Sequence, residues 1–450
     1  MASPHAGEPG RDHGHVLPIS EAARANRQRP VLLLQGPVGP FFQHLAHALR
    51  AMGHPVDRVR FNAGDRLNDT ADDAAIDLPP YRKLNYQEGR EAFVPWLRGL
   101  CWRNHYEAIV LFGDQRPPHG MAREVAAEFG IPVICLEEGY VRGGFVTVER
   151  GGNNARSVHA GRLPPEAFDE APPEPVAAHG FSWMLWWAFL SFTWRNVRSS
   201  AIEREFNHKK RPTVSEGFHW TRNAWRRYTG YGMDVREARA LPEFDLVPLQ
   251  VTDDAQLGEA ADGWSNARLI GTTIESFARH APKERHLVFK LHPMERGHTR
   301  DASVIASLAR RWGVGRRVHC VASGSLAALT AKARGMITIN STSGFTALEF
   351  GMSLLVLGRA VYRHPALAQC GGTVESINRF WLNDQRADPA LAERFVCWLK
   401  HSALVPGDYY DPAVAEATAR AVAERAIALA TNRFRIPMPE VAIESAQARA

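Results

Sequence analysis

Ile337-Thr338-Ile339-Asn340-Ser341-Thr342-Ser343-Gly344-Phe345-Thr346-Ala347-Leu348-Glu349 is the stretch whose reading decides the fold. A short β-branched run stops at Asn-Ser-Thr-Ser-Gly, and a helical pattern begins. That layout gathers small hydroxyls and free backbone N–H groups at a helix N-terminus, a place that holds phosphate or another anion. Upstream lies a second strand-to-loop junction, Leu287-Val288-Phe289-Lys290-Leu291-His292-Pro293. Two strand ends of one α/β domain, one offering hydroxyls and the other Lys290 and His292, describe a nucleotide-phosphate pocket.

Working outward, strands and helices alternate on both sides of this unit. Leu246 to Val251 reads as a buried strand ending in Thr252-Asp253-Asp254-Ala255-Gln256. Helix Ile270 to Ala281, strand His286 to Leu291, helix Ala302 to Trp312, strand Val318 to Val321 and strand Leu354 to Gly358 follow. Near the start of the chain, strand Pro30 to Pro37, a helix from Phe41 to Met52 with Gly53 as its stop, and strand Val56 to Phe61 form a second β-α-β opening. The Gly36 loop is not a G-x-G-x-x-G fingerprint. Strand Ala108 to Asp114, a helix from Met121 to Phe129 and strand Ile131 to Leu136 lead to Glu137-Glu138-Gly139-Tyr140-Val141-Arg142. Ligands sit at strand carboxyl ends in such sheets. The expected fold class is therefore α/β, with two Rossmann-like doubly wound domains and polar strand ends facing one cleft. This is the GT-B architecture of many glycosyltransferases.

The expected organisation runs from a disordered leader (1–28) to an acceptor-side Rossmann-like domain (29–160). A Trp-rich, basic helical insertion (161–242), a nucleotide-sugar Rossmann-like domain (243–400) and C-terminal helices (401–450) complete it. The last helices could cross back onto the first domain. A length of 450 residues suits two domains, and 45% hydrophobic with 23% charged residues suits a globular chain. The net charge of +6 fits an anionic substrate, an anionic membrane surface, or simply an Arg-rich composition. Nucleic acid is not expected, because no basic run is interleaved with stacking aromatics. The five scattered cysteines include no C-x-x-C pair, which argues against a disulfide framework and for a reducing compartment. Residues Met1 to Gln28 lack an apolar signal core.

Phe181 to Trp194 is apolar nearly all round, carries four tryptophans and is followed by Arg195, Arg198, Arg204, His208, Lys209, Lys210 and Arg211. It is too short to span a bilayer. It suits either a membrane interface or a helix buried between domains or in a dimer.

The chemistry can be assigned by residue type. Lys290, His292 and Pro293, with Ser341, Thr342, Ser343 and Gly344, would bind a nucleotide phosphate and stabilise its departure without a metal. Asp254 is the candidate nucleophile of a retaining sugar transfer, and Glu138 the partner that handles the acceptor proton. The bland alternative for each acid is a helix cap or a surface ion pair.

Together these motifs resemble the bacterial capsule polysaccharide biosynthesis/export family, the β-Kdo transferases of the KpsS and KpsC type. Leu34 to Phe42 with Phe61-Asn62-Ala63-Gly64-Asp65 is similar to the KpsS subtype. Glu137 to Arg142 resembles the family's acid–Gly–aromatic–Arg motif. Gln250-Val251-Thr252-Asp253-Asp254 resembles its Gln-Val-x-x-Asp motif, Lys290 to Pro293 its HP motif, and Asn340 to Phe345 its Ser/Thr motif for the CMP phosphate. The resemblance covers about Val31 to about Tyr410.

What the resemblance implies is a transferase with CMP-β-Kdo as donor substrate and no cofactor. It would add the first Kdo to a phosphatidylglycerol lipid at the cytoplasmic face of the inner membrane, as a peripheral protein beside other capsule synthesis or export proteins. Arg142 and Arg359 are the candidate cations for the Kdo carboxylate. Asp253 directly precedes Asp254, so which of the two faces the sugar stays open. The rivals are a transferase of another CMP- or CDP-activated donor, sialyl- or glycerophosphotransferase-like, and a non-catalytic capsule export component.

Overall fold

The computed structural model describes residues 28–69, 77–206, 218–219, 221–223, 225–226, 233, 235–251, 257–293, 295 and 298–434. Residues 1–27 of the leader, the basic run Lys209-Lys210-Arg211 and the pair Asp253-Asp254 lie outside the described residues.

The first half contains β1 (Val31–Leu33), α1 (Phe41–Ala51), β2 (Val56–Arg60), α2 (Ala63–Leu67), β3 (Tyr81–Asn85), α3 (Phe93–Asn104), β4 (Ala108–Phe112), α4 (Pro117–Glu128), β5 (Val133–Glu138) and β6 (Phe145–Arg150). Helices α5 (Gly180–Arg198) and α6 (Val235–Arg239) lead to the second half. There the chain forms β7 (Phe244–Pro248), α7 (Asn266–His280), β8 (His286–Lys290), α8 (Asp301–Arg311), β9 (Val318–Val321), α9 (Leu326–Thr330), β10 (Gly335–Thr338) and α10 (Ser343–Glu349). It ends with β11 (Ser353–Val356), β12 (Gln369–Cys370), α11 (Val374–Phe380), α12 (Pro389–Ser402), β13 (Leu404–Pro406) and α13 (Pro412–Ala430).

The protein is α/β, with two Rossmann-like domains as expected. In the first sheet the order β3-β2-β1-β4-β5 is parallel, and β6 and β13 extend it. The second sheet runs β9-β8-β7-β10-β11-β12, all parallel. In both sheets the strand order reverses at one point, between β1 and β4 in the first and between β7 and β10 in the second. Crevices at such reversals are where this architecture binds ligands. Fully buried strands such as Ala108–Phe112 and Phe244–Pro248 reflect parallel sheets covered on both faces.

Local chemistry sets the boundaries. Gly53 adopts φ 93°, the left-handed stop expected after α1. Asp388 and Asp411 cap α12 and α13 by accepting from Leu391 N and Ala413 N, each with Pro at the first helical position.

The C-terminal segment is not purely helical, because Leu404–Pro406 pairs antiparallel with Phe145–Thr147 at the edge of the first sheet. From there α13 packs on α1 inside the core of the first domain, with Tyr409 edge-on to Phe41 at 4.6 Å. Helix α12 joins the two domains: Phe395, Trp398 and Leu399 share one buried cluster with Tyr140 and Phe145 of the first half and Phe345 and Leu348 of the second.

Helix α5 is one-sided rather than buried between domains. Met184 and Trp187 pack on the first core, and Ser191 and Arg195 are buried. Phe181, Trp183, Trp186, Phe189, Trp194 and Val197 are exposed.

Candidate active site

Glu138 ends β5, and its carboxylate faces the gap between the domains. Arg142 donates to Glu138 Oε2, and Tyr410 Oη donates to Glu138 Oε1 at 3.2 Å. The Arg142 side chain is 62% accessible and that of Glu138 is 30%. Both are open to solvent yet enclosed by protein on several sides, as expected of groups lining a cleft. Burial pushes the Glu138 carboxyl up. The charge and hydrogen bond of Arg142, the Tyr410 hydroxyl and the charge of His292 together outweigh it and hold the carboxyl below its usual range. His292, half-buried in the loop after β8, is thus close enough across the gap to act on Glu138 electrostatically. Tyr410 is buried, its hydroxyl pushed well up by burial and then by Glu138 and Glu137, so it remains an O–H donor.

Below this pair the two domains touch through their motifs. Tyr140 lies with its ring 5.9 Å from that of Phe345 and nearly parallel to it. Tyr140 Oη donates to Glu149 and accepts from Asn154 N at 2.7 Å, which fixes the ring. Gly139 permits the turn, because a Cβ there would lie 2.4 Å from the Phe145 carbonyl oxygen. Phe345 stands edge-on to Tyr362 at 5.0 Å. Gly344 is required on the other side, since a Cβ would lie 2.2 Å from the Tyr362 ring.

The loops after β7 and β10 are joined at the strand-order reversal of the second sheet. Gln250 Nε2 donates to Asn340 Oδ1 at 3.0 Å, and Asn266 Nδ2 donates to the Gln250 carbonyl at 2.7 Å. This fixes the chain just before the 252–256 segment. In the Ser/Thr loop, Ser343 N donates to Ser341 Oγ at 3.2 Å, Gly344 N to Ser341 O at 3.1 Å, and Tyr362 Oη to Ser341 O. Ser343 Oγ is buried with no hydrogen-bond partner among the described residues. The Thr342 side chain caps nothing.

Lys290 is buried, and its Nζ donates to the Leu291 carbonyl at 3.0 Å. Pro293 O accepts from Asn223 Nδ2 at 3.0 Å. Arg359 sits in an ion-pair chain: its Nη2 reaches Glu259 Oε1 at 3.1 Å and its Nε lies 3.2 Å from Asp262 Oδ1. Glu259 in turn pairs with Arg156 of the first domain at 2.7 Å, and Arg156 reaches the buried Asp114 at 3.6 Å. Both candidate cations for the substrate carboxylate thus have carboxylate partners within the protein, Arg142 in Glu138 and Arg359 in Glu259 and Asp262. Among the described residues no group of three His, Cys, Asp or Glu is arranged to hold a metal ion.

Two contributors were missed by the sequence reading. Tyr410 lies 272 residues from Glu138 and enters only because the chain returns to the first sheet. Arg116 follows β4 and donates to Gly36 O at 2.9 Å and to Gln35 Oε1 at 3.3 Å, bridging the loops at the first sheet's strand-order reversal. Its place after a strand end was the available clue.

A family model described as capsule polysaccharide biosynthesis protein matches residues 107–179 and 201–410. The Escherichia coli capsule polysaccharide export protein KpsS is 32% identical over 396 residues, spanning 84% of this chain and 96% of that protein. The chain belongs to the capsule polysaccharide biosynthesis family. All the motifs from Glu137 to Phe345 fall inside the matched residues of this capsule family. The capsule polysaccharide modification protein LipB of Neisseria meningitidis serogroup B is 30% identical over 397 residues, 84% of this chain and 91% of LipB. Among solved structures, the β Kdo 2,4 transferase KpsC of Thermosulfurimonas dismutans is similar at 12% identity and a TM-score of 0.39. It covers 83% of this chain and 91% of that one.

Proposed function

We propose that this chain is a retaining, metal-independent glycosyltransferase that moves β-Kdo from CMP-β-Kdo to a phosphatidylglycerol-type lipid, at the start of a capsule linker. The observation that carries the reading is Glu138, hydrogen-bonded by Tyr410 and Arg142, in the electrostatic reach of His292 from the other domain. Membership of the capsule family supports the biological setting.

The reaction follows from these roles. Asp254 attacks the anomeric carbon, and the bond to the CMP phosphate oxygen breaks with its electron pair leaving on CMP. His292 and the Ser341-Thr342-Ser343-Gly344 loop, with Ser343 Oγ unengaged, receive the phosphate; Lys290 and Pro293 shape the loop beneath it. The acceptor hydroxyl then attacks the same carbon from the vacated face. Its proton passes to Glu138, and Asp254 departs as a carboxylate. Two inversions restore the β configuration. Glu138 serves as the base from a fixed position, held by Tyr410 and Arg142. Arg142 offsets the charge of Glu138 and of the Kdo carboxylate, and Arg359 braces the loop beyond Asp254 through Glu259.

The test is mass spectrometry of the purified protein incubated with CMP-Kdo and short-chain phosphatidylglycerol. The expected product carries one added Kdo, and Asp254→Asn should make none while still binding CMP. Thermal shifts with CMP, CDP-glycerol and UDP discriminate the rival donors. A shift with CDP-glycerol alone, or no Kdo product, would overturn the proposal.

A further inference from the structure

Helix α5 presents the wrong face to solvent for an ordinary surface helix. Its inward side follows helical spacing through Met184, Trp187, Ser191 and Arg195. Its outward side, also at helical spacing, carries Trp183, Trp186, Phe189, Trp194 and Val197, with Trp186 51% and Phe189 63% exposed. Trp186 and Phe189 stack on each other at 6.3 Å, so the patch is continuous. Exposed apolar clusters of this kind mark a partner surface.

Charge identifies the partner. From Val176 to Ile202 the sequence contains no Asp or Glu, and the exposed Arg198 borders the aromatic face. Arg198 lies over the Trp194 ring at 5.2 Å. An acid-free tryptophan face bordered by an exposed arginine matches the headgroup level of an anionic bilayer. Among the described residues no helix is long and apolar enough to cross a membrane.

The same helix is built into the candidate site. Trp187 Nε1 donates to the Tyr410 carbonyl at 3.1 Å, and the Tyr410 hydroxyl reaches Glu138. His179 N, at the helix start, donates to Asp411 Oδ2 at 2.7 Å.

We infer that the outward face of α5 lies in the headgroup layer of an anionic membrane and holds the Tyr410–Glu138 edge of the cleft against it. Docking itself stands on the exposed face and its charge; that the membrane delivers the acceptor rests on the function proposed above.

The experiment pellets the full chain with vesicles of phosphatidylcholine alone or mixed with phosphatidylglycerol, beside the double variant Trp186→Ser/Phe189→Ser. Wild type should pellet with the mixed vesicles and much less with the neutral ones, and added salt should weaken it. The double variant should partition about tenfold or more weaker, with an unchanged melting temperature because both side chains are exposed. Light scattering reads the rival occupant. A wild-type dimer that the variant converts to monomer, or equal pelleting of variant and wild type, would overturn the inference. Transfer to short-chain, water-soluble phosphatidylglycerol separates the two claims. The variant should retain it, whereas loss of pelleting with no transfer by wild type would leave docking standing and remove the proposed function.

Discussion

The rings of Tyr140 and Phe345 lie 5.9 Å apart at an interplanar angle of 18°, so the acid motif of the first domain rests directly on the Ser/Thr motif of the second. This contact explains how two separately folded sheets present one site. Glu138 and Ser343 each stand two residues from a ring in this stack. Moving either ring moves the chemistry above it.

Phe345→Ala should therefore cost more than stability. Removing a buried aromatic in such a cluster is expected to lower unfolding free energy by about 3–5 kcal/mol. Phe345→Leu should restore most of that loss but not the fixed Tyr140 turn. Chemical denaturation beside CMP affinity checks both parts, and wild-type CMP binding in Phe345→Ala would detach the stack from the site.

Tyr410→Phe removes the hydroxyl that bonds Glu138 and helps hold its carboxyl down. Transfer should fall about tenfold or more. The acid limb of the pH–rate profile should move to higher pH, because Glu138 would take up its proton sooner. A merely structural tyrosine would lower the rate without moving the limb.

Gly344→Ala places a Cβ 2.2 Å from the buried Tyr362 ring. The ring must shift, and with it the hydroxyl that holds the Ser341 carbonyl. A stability loss of about 1–3 kcal/mol is expected, with weaker CMP binding. Tyr362→Leu in the same chain should recover stability but not CMP affinity; calorimetry of both variants reads the difference.

His119 is fully buried at the start of α4, with Nδ1 2.6 Å from the Gly113 carbonyl. Burial, then the charge of Arg116, lowers its pKa from 6.5 to about 3. The folded state thus keeps it neutral while the unfolded chain protonates near 6.5. Its contribution is present above that value and is lost as pH falls toward about 3, at up to about 1.4 kcal/mol per pH unit. His119→Gln should flatten the acid side of a stability–pH curve; an unchanged slope would show that other groups set it.

Much of this was legible in the sequence. The alternation of apolar runs such as Ala108–Phe112 and Leu287-Val288-Phe289 with helical spacing gave both wound sheets, because strands buried on two faces are largely apolar. The motif loops were legible for the same reason, as polar residues placed where such strands stop. Tyr410 was not legible, because an edge strand of three residues, Leu404–Pro406, brings it back across the sheet, and nothing local records that pairing. Nor did sequence decide the one-sidedness of α5, whose apolar residues surround the whole helix; only packing selects the face of Met184 and Trp187. The partners of Arg359 depend on Glu259 and Asp262, held by a loop that no periodicity defines.

The most direct measurement is transfer by Glu138→Gln from CMP-Kdo to short-chain phosphatidylglycerol, with CMP affinity determined on the same sample. Transfer should drop at least about a hundredfold while CMP binds as in wild type, since Glu138 serves the acceptor and not the nucleotide. Near-wild-type transfer by Glu138→Gln would contradict the account.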